Sequence, residues 1–336
     1  MYTLGIESTC DETAASVVYS GKKILSNVTA SQADLHACYG GVFPEMAARR
    51  HADAMVPVIE EALAQSGMAV EDIDLIAVAK GPGLIGPLLL GLHAAKSLAL
   101  VWKKPLVGVN HVEAHLFAAM MEGDPILPAL GVVISGGHTF LVKIDELGKY
   151  TMIGKTVDDA IGEAFDKVAV MLGLSYPGGP ALEKLSRQGN PSKYRFHPGK
   201  VKGRPWDFSF SGLKTNVLYT IKGQDSDKNA PCRLAEEEKP HIAAAFQEAA
   251  LGDIVSKACK AAAEFGCQAI YLGGGVSQNG RLRQMFQEKN IPIPVIFPPQ
   301  GLSVDNAAMI AGLGYHVFLR QGADPLDLEP QTRIPL

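Results

Sequence analysis

Two histidines four residues apart, His111 and His115, sit in the run His111-Val112-Glu113-Ala114-His115. If that run is helical, both imidazoles lie on one face with Cβ atoms ~5–6 Å apart, close enough to share one divalent cation of the zinc or iron kind. The pattern is similar to the H-E-x-x-H of zinc peptidases, where the residue after the first histidine is the water-activating glutamate. Here Val112 holds that place and Glu113 lies one residue further on, roughly 100° around a helix, so a peptidase mechanism loses its base. A third ligand is offered by Asp305, in Leu302-Ser303-Val304-Asp305-Asn306, just before an apolar helix. Asp305 reads either as the cap of that helix or as a carboxylate from the far half of the chain completing a His₂-Asp site with an open position.

Glycine-rich turns supply the other chemistry. Ser135-Gly136-Gly137-His138-Thr139 follows the apolar run ending in Ile134; it reads as a hairpin turn, or as a loop whose backbone N–H groups approach a phosphate. Gly273-Gly274-Gly275 before Asn279 resembles a nucleotide turn without the Walker lysine or the full G-x-G-x-x-G. Asp166, and Gly178-Gly179-Pro180 with Glu183, offer acceptors for ribose hydroxyls or else form a capped, solvated helix end. The segment 193–206 alternates Lys193, Arg195, Lys200, Lys202 and Arg204 with Tyr194, Phe196 and Trp206. It reads as a solvated loop or as an RNA contact in which charges meet phosphates and rings stack on unpaired bases.

These residues need a scaffold of strands and helices. The chain opens with strand 3–7, a turn carrying Asp11 and Glu12, and further strands over 14–19 and 22–28; a strand, polar turn and strand recur about 130 residues later, at 131–144. That repeat predicts a duplicated domain with facing turns, and a cleft between the halves as the ligand site. Helical patterns cover 43–66, 83–102, 111–121 and 241–265, with strands at 75–79 and 269–272 and a helix from about Asn279. The polar stretch 223–239 reads as an exposed insert, and the proline-containing tail beyond Gly322 as extended surface packing.

Composition sets the limits. With 336 residues, 47% of them hydrophobic, the chain has room for two domains, and a formal net charge of −4 confines any polyanion site to a local patch. The five cysteines, Cys10, Cys38, Cys232, Cys259 and Cys267, show no C-x-x-C spacing and fit reduced packing thiols. The N-terminus lacks a signal-peptide pattern, and the apolar stretch 84–101, interrupted by His93, Lys96 and Pro87, reads as a buried helix rather than a membrane span. A cytoplasmic protein without a membrane partner is the expectation.

The combination of motifs resembles the TsaD family. It is carried by Ile6-Glu7-Ser8-Thr9-Cys10-Asp11-Glu12-Thr13, His111-x-x-x-His115, Ser135-Gly136-Gly137-His138-Thr139, Gly162-Glu163-Ala164-Phe165-Asp166-Lys167, Tyr176-Pro177-Gly178-Gly179-Pro180, Asp207-Phe208-Ser209-Phe210-Ser211-Gly212-Leu213-Lys214-Thr215, Gly274-Gly275-Val276-x-x-Asn279 and Asp305-Asn306. The resemblance implies an α/β actin, hexokinase and Hsp70-like (ASKHA) fold, with an N-terminal lobe over 1–125 and a C-terminal lobe over 126–336 that carries the adenylate-binding motifs and Asp305. It implies transfer of a threonylcarbamoyl group from threonylcarbamoyl-AMP to N6 of adenosine 37 in tRNAs reading ANN codons. His111, His115 and Asp305 match the family's metal ligands, with Fe²⁺ implied ahead of Zn²⁺. Ile134, Ser135, Gly136, Gly137, His138, Asp166, Gly179, Glu183 and Asn279 match adenylate-binding positions. A tyrosine ligand of the archaeal and eukaryotic branch has no counterpart here, where Val133 begins Val133-Ile134-Ser135-Gly136. Implied partners are tRNA through its anticodon loop, a TsaB-like paralogue, a TsaE-like ATPase and a TsaC-type enzyme that supplies the adenylate.

Asp11 and Glu12, on the first turn, are the candidates for orienting substrate or removing a proton. The rival readings are a small-molecule kinase or ATPase on the same fold, a metallopeptidase, and a non-catalytic nucleotide-binding scaffold.

Overall fold

A computed structural model describes residues 1–37, 43–223 and 234–334. Cys38, Cys232, Pro335 and part of the expected insert at 223–239 lie outside them. The chain divides into two compact units, Met1–Pro125 with Phe297–Leu336, and Ile126–Ile296.

In the first unit, β1 (Tyr2–Glu7), β2 (Glu12–Tyr19) and β3 (Lys23–Ser31) form an antiparallel meander. A short helix α1 (Ala33–Ala37) and a long helix α2 (Pro44–Ser66) lead to β4 (Leu75–Gly81), which pairs parallel to β1. Helix α3 (Ile85–Trp102) crosses to β5 (Leu106–Asn110), and α4 (His111–Ala118) starts directly at its end. The sheet order is β3-β2-β1-β4-β5. Strands β1, β4 and β5 are buried almost throughout, which is why they read as continuous apolar runs rather than alternating ones.

The second unit repeats this plan. Its meander is β6 (Ala129–Ile134), β7 (Thr139–Glu146) and β8 (Lys149–Lys155). Four helices follow: α5 (Ile161–Met171), α6 (Gly178–Ser186), α7 (Ser211–Lys222) and α8 (Lys239–Glu264). Then come β9 (Ala269–Gly273), parallel to β6, α9 (Gly280–Lys289) and the short β10 (Val295–Ile296). The order β10-β9-β6-β7-β8 is the first sheet's order read from the other edge, so the duplication expected from the repeated strand-turn-strand extends to strand pairing.

One expectation is corrected. The chain does not stay in the second unit to its end: helix α10 (Ala307–Gln321) belongs to the first unit, where it packs against β1, β2, β4, β5 and α4. The physical reason is an apolar face, Ala307, Ala308, Met309, Ile310, Ala311 and Leu313, buried at 0% exposure, that covers one side of that sheet. Gly5 permits the approach, because a Cβ there would stand 2.4 Å from the Ala307 carbonyl oxygen. The tail is pinned as expected: Asp324 bridges to Leu106, and Gln331 N donates to the Lys80 carbonyl at 2.8 Å. Asp305 therefore sits in the same unit as the two histidines.

Helix α3 differs from the buried helix read from sequence. It packs one face on β4 and α2, while Leu100 and Val101 are 65% and 74% exposed. By length and composition alone it is long and apolar enough to cross a membrane, with a third of its length buried.

Candidate metal and nucleotide sites

Helix α4 places the histidines. Asn110 ends β5 and caps α4, its side chain accepting from Val112 N and Glu113 N at 2.9 and 3.2 Å. This fixes His111 at the first helical position and His115 one turn later. Both rings are buried, 4.6 Å apart between centroids. Asp305 precedes α10, but the cap of that helix is Asn306, whose side chain accepts from Met309 N. Asp305 is therefore not the cap of that helix.

Asp305 Oδ1 lies 3.0 Å from His115 Nε2 and 3.5 Å from His111 Nε2. Each of the three residues offers a ligand atom within 4.8 Å of the others. Ligand atoms at ~2.0–2.2 Å from one cation stand ~3.0–3.5 Å apart, so the two measured edges fit a shared ion. Two imidazoles and one carboxylate suit zinc or iron and leave further coordination places open. The Nδ1 of His115 is buried with no hydrogen-bond partner among the described residues.

A buried carboxylate that sequence reading had not assigned to the site stands behind His111. Glu7, at the end of β1 with 0% exposure, takes the His111 Nδ1 at 2.8 Å and accepts from Thr9 N at 2.6 Å. Thr9 Oγ1 lies 3.3 Å from the same ring nitrogen. A carboxylate on Nδ1 fixes the tautomer that presents Nε2 to a cation and raises the basicity of the ring. Burial alone would lower the His111 pKa, but the Glu7 and Asp305 charges outweigh it and hold it up at about 9. The signal in the sequence was the glutamate closing an otherwise apolar strand.

Asp11 and Glu12 lie on the β1–β2 turn and at the start of β2. Burial, and then repulsion from Asp305 and Asp11, pushes the Glu12 carboxyl up to about 10. Burial and the same two aspartates push the Cys10 thiol far upward, which fits a packing thiol rather than a nucleophile.

The second unit holds a cavity of about 360 Å³ lined by Gly136, Phe165, Asp166, Gly179, Glu183, Arg187, Val276, Gln278 and Asn279 together with neighbouring glycines. It brings together Gly136, Asp166, Gly179, Glu183 and Asn279 from four separate motifs. The cavity is small enough for a nucleoside monophosphate to fill much of it. Asp166 Oδ1 accepts from Gly178 N and Gly179 N at 2.9 and 3.2 Å, which locks the start of α6 onto α5. Burial raises the Asp166 pKa against those two amides. Glu183 accepts from Gly280 N and pairs with Arg187 at 2.7 Å. Asn279 caps α9 and donates to Gln247 Oε1 at 2.9 Å, so its side chain shapes the wall.

Of the remaining expected positions, Ile134 is in the core at 0% exposure. Ser135 and His138 close the β6–β7 turn, Ser135 N donating to the His138 carbonyl and His138 N to Ser135 Oγ. Gly137 lies in the same turn, and none of these four lines the cavity. Arg187 and Gln278, which are fixed positions of none of the motifs read from sequence, also line it; nothing in their local sequence separates them from other surface polar residues.

Of the rings of 193–206, Phe196 is buried and Tyr194 and Trp206 are half-buried. Tyr194 stacks on Phe196 and donates to Glu238, and Trp206 packs on Phe265.

A repeated five-stranded sheet, each copy a meander plus two parallel strands, defines the two-lobed α/β class of actin, hexokinase and Hsp70. In agreement, the chain superposes with TM-score 0.65 on full-length HypF in its phosphate- and nucleotide-bound form, at 15% identity over 96% of this chain and 47% of that one. The sequence model described as TsaD, tRNA N6-adenosine threonylcarbamoyltransferase, matches residues 23–312. Enzymes of that name from Protochlamydia amoebophila and Chlamydia pneumoniae are 58% and 50% identical, over 100% and 97% of this chain and 98% and 94% of their own lengths. The chain belongs to the TsaD family.

Proposed function

We propose that the protein transfers the threonylcarbamoyl group of threonylcarbamoyl-AMP to N6 of adenosine 37 in tRNAs that read ANN codons, and releases AMP. The observation that carries this reading is 58% identity over the whole chain to an enzyme of that name. The two sites agree with it in kind: a monophosphate-sized glycine-lined cavity and a His₂-Asp cluster.

The exocyclic amine of adenine is a weak nucleophile. Its attack forms an N–C bond at the carbamoyl carbonyl, breaks the C–O bond to phosphate and leaves one proton to be removed. Orientation and charge stabilisation must therefore supply most of the rate. Gly136, Gly179 and the glycines before α9 present backbone at the cavity wall, and Asp166 and Glu183 offer carboxylate oxygens for ribose hydroxyls. His111, His115 and Asp305 would hold a divalent ion, Fe²⁺ ahead of Zn²⁺, which when bound supplies Lewis acidity toward the threonylcarbamoyl oxygens. Glu7 and Thr9 hold the His111 ring in place for it. Asp11 and Glu12, on the turn after β1 and at the start of β2, orient the substrate or take the N6 proton.

This reading places the protein in the cytoplasm without a membrane partner. It works with a TsaB-like paralogue and a TsaE-like ATPase, on adenylate from a TsaC-type enzyme. The test is incubation of the protein and these partners with threonine, bicarbonate, ATP and tRNA, followed by mass analysis of nucleosides. Threonylcarbamoyladenosine should accumulate with the complete mixture and fail when this protein is omitted. Unmodified adenosine throughout, or tRNA-independent ATP turnover by this protein alone without its partners, would favour the kinase reading.

A further inference from the structure

A second cavity in the Ile126–Ile296 unit, about 630 Å³, belongs to neither site. One wall is the segment 197–207; the other is about two turns of α8 with Asp253, Ser256, Lys257 and Lys260. Lys200, Arg204, Lys257 and Lys260 face two carboxylates, Asp207 and Asp253, which gives a local formal charge of +2 in a chain of net −4.

Both carboxylates are already engaged. Asp207 accepts from Lys155 N at 3.0 Å, and Asp253 pairs with Lys257 at 2.7 Å. Lys257 also donates to the Asp207 carbonyl and lies 4.5 Å from the Phe208 ring centre, so it adds field but no free donor. Lys200 and Lys260 make no ion pair among the described residues, and Arg204, with its side chain 65% exposed, has a single 3.4 Å contact to Asp207. Three exposed cations therefore rim a cavity whose acidic groups are spoken for. Of the nearby rings, Tyr194 rests on Phe196. Trp206 and His197 do line the cavity, Trp206 half-buried with Phe265 against it, but four cations surround them, and charge of that density suits phosphate.

We propose that this cavity seats a phosphodiester backbone of the tRNA, held by Lys200, Arg204 and Lys260 without reading base identity. The inference rests on the tRNA reading above only for which RNA is bound. Contacts of this kind give sequence-independent affinity that falls with salt, by a slope of ~0.7 per neutralised phosphate on a single strand.

The test measures binding of full-length protein to fluorescently labelled tRNA across a salt series. In K200A/R204A/K260A the affinity should drop at least tenfold at low salt, and the slope of log K against log salt should flatten by about 2. The charge-conserving K200R/K260R should bind as wild type, as should K23A/K149A/K289A, which removes three exposed lysines elsewhere. In the modification assay the triple variant should raise KM for tRNA and leave kcat at saturating tRNA within twofold. Equilibrium dialysis should show AMP binding alike to wild type and K200A/R204A/K260A. Wild-type affinity and slope in the triple variant, or no tRNA binding by the wild-type protein, would overturn the proposal. Loss of AMP binding in that variant would assign the cavity to a free mononucleotide and overturn it as well. Because binding is read without turnover, tRNA that docks as described but stays unmodified refutes the acyl-transfer reading and leaves the docking surface standing.

Discussion

At the scale of single residues, the metal reading depends on which atoms His111 presents. Glu7 on Nδ1 commits Nε2 to the side where Asp305 and His115 converge. His111→Ala should abolish metal retention and tRNA modification with the fold kept, checked by metal analysis, circular dichroism and nucleoside mass. A metal-loaded, fully active H111A protein would end the metal assignment. Glu7→Gln keeps the shape but removes the charge, and should weaken metal affinity ~10–100-fold in chelator competition. Proton and metal compete for the same ring. With a pKa of about 9 in the metal-free protein, His111 must lose a proton to ligate, so affinity should fall as pH drops below that value. Stability has the opposite sign. The raised pKa means that protonated His111 favours the folded state fully below its unfolded value of ~6.5, a gain lost as pH rises toward 9. Urea unfolding of metal-free protein between pH 6 and 10 would show the decline, and E7Q should flatten it.

At the scale of elements, the cavity proposed for the adenylate depends on how closely α6 meets α5. A Cβ on Gly178 would stand 2.6 Å from Ala169 Cβ and 2.7 Å from Asp166 Cα. Gly178→Ala must push the two helices apart and disturb the amides that hold Asp166. It should cost ~1–3 kcal/mol of stability and lower AMP affinity, readable by denaturation and calorimetry. Asn279 separates capping from shaping: Asn279→Asp keeps the cap on α9, whereas Asn279→Ala forfeits ~1 kcal/mol with it. Both lose the donor to Gln247.

At the scale of the whole molecule, the return of residues 297–334 to the first unit matters most. All three proposed metal ligands reside there, so added Fe²⁺ or Zn²⁺ should slow amide exchange in α4, β1 and α10, while AMP should protect α5, α6 and the turn before α9. Metal at a hundredfold over its Kd would stabilise the protein by ~2.7 kcal/mol. A chain cut after Ile296 should lose the first unit altogether, because β1 and β4 would expose the face that α10 covers. Retained first-unit protection in that truncation would refute the packing argument.

Local patterns in the sequence determined a good deal unaided. Periodicity marked most strands and helices, the repeated strand-turn-strand announced a duplicated α/β fold, and eight ordered motifs named the family. Spacing put His111 and His115 on one helical face because helix geometry is local. Tertiary structure alone decided what meets across long sequence separations: that Asn306 rather than Asp305 caps α10, and that Asp305 returns to the histidines' own unit. It also showed that Glu7 backs His111 and that residues 197–207 and α8 enclose a basic cavity. Each of these is set by how apolar faces seek burial at long range, a global compromise that no short window of residues encodes.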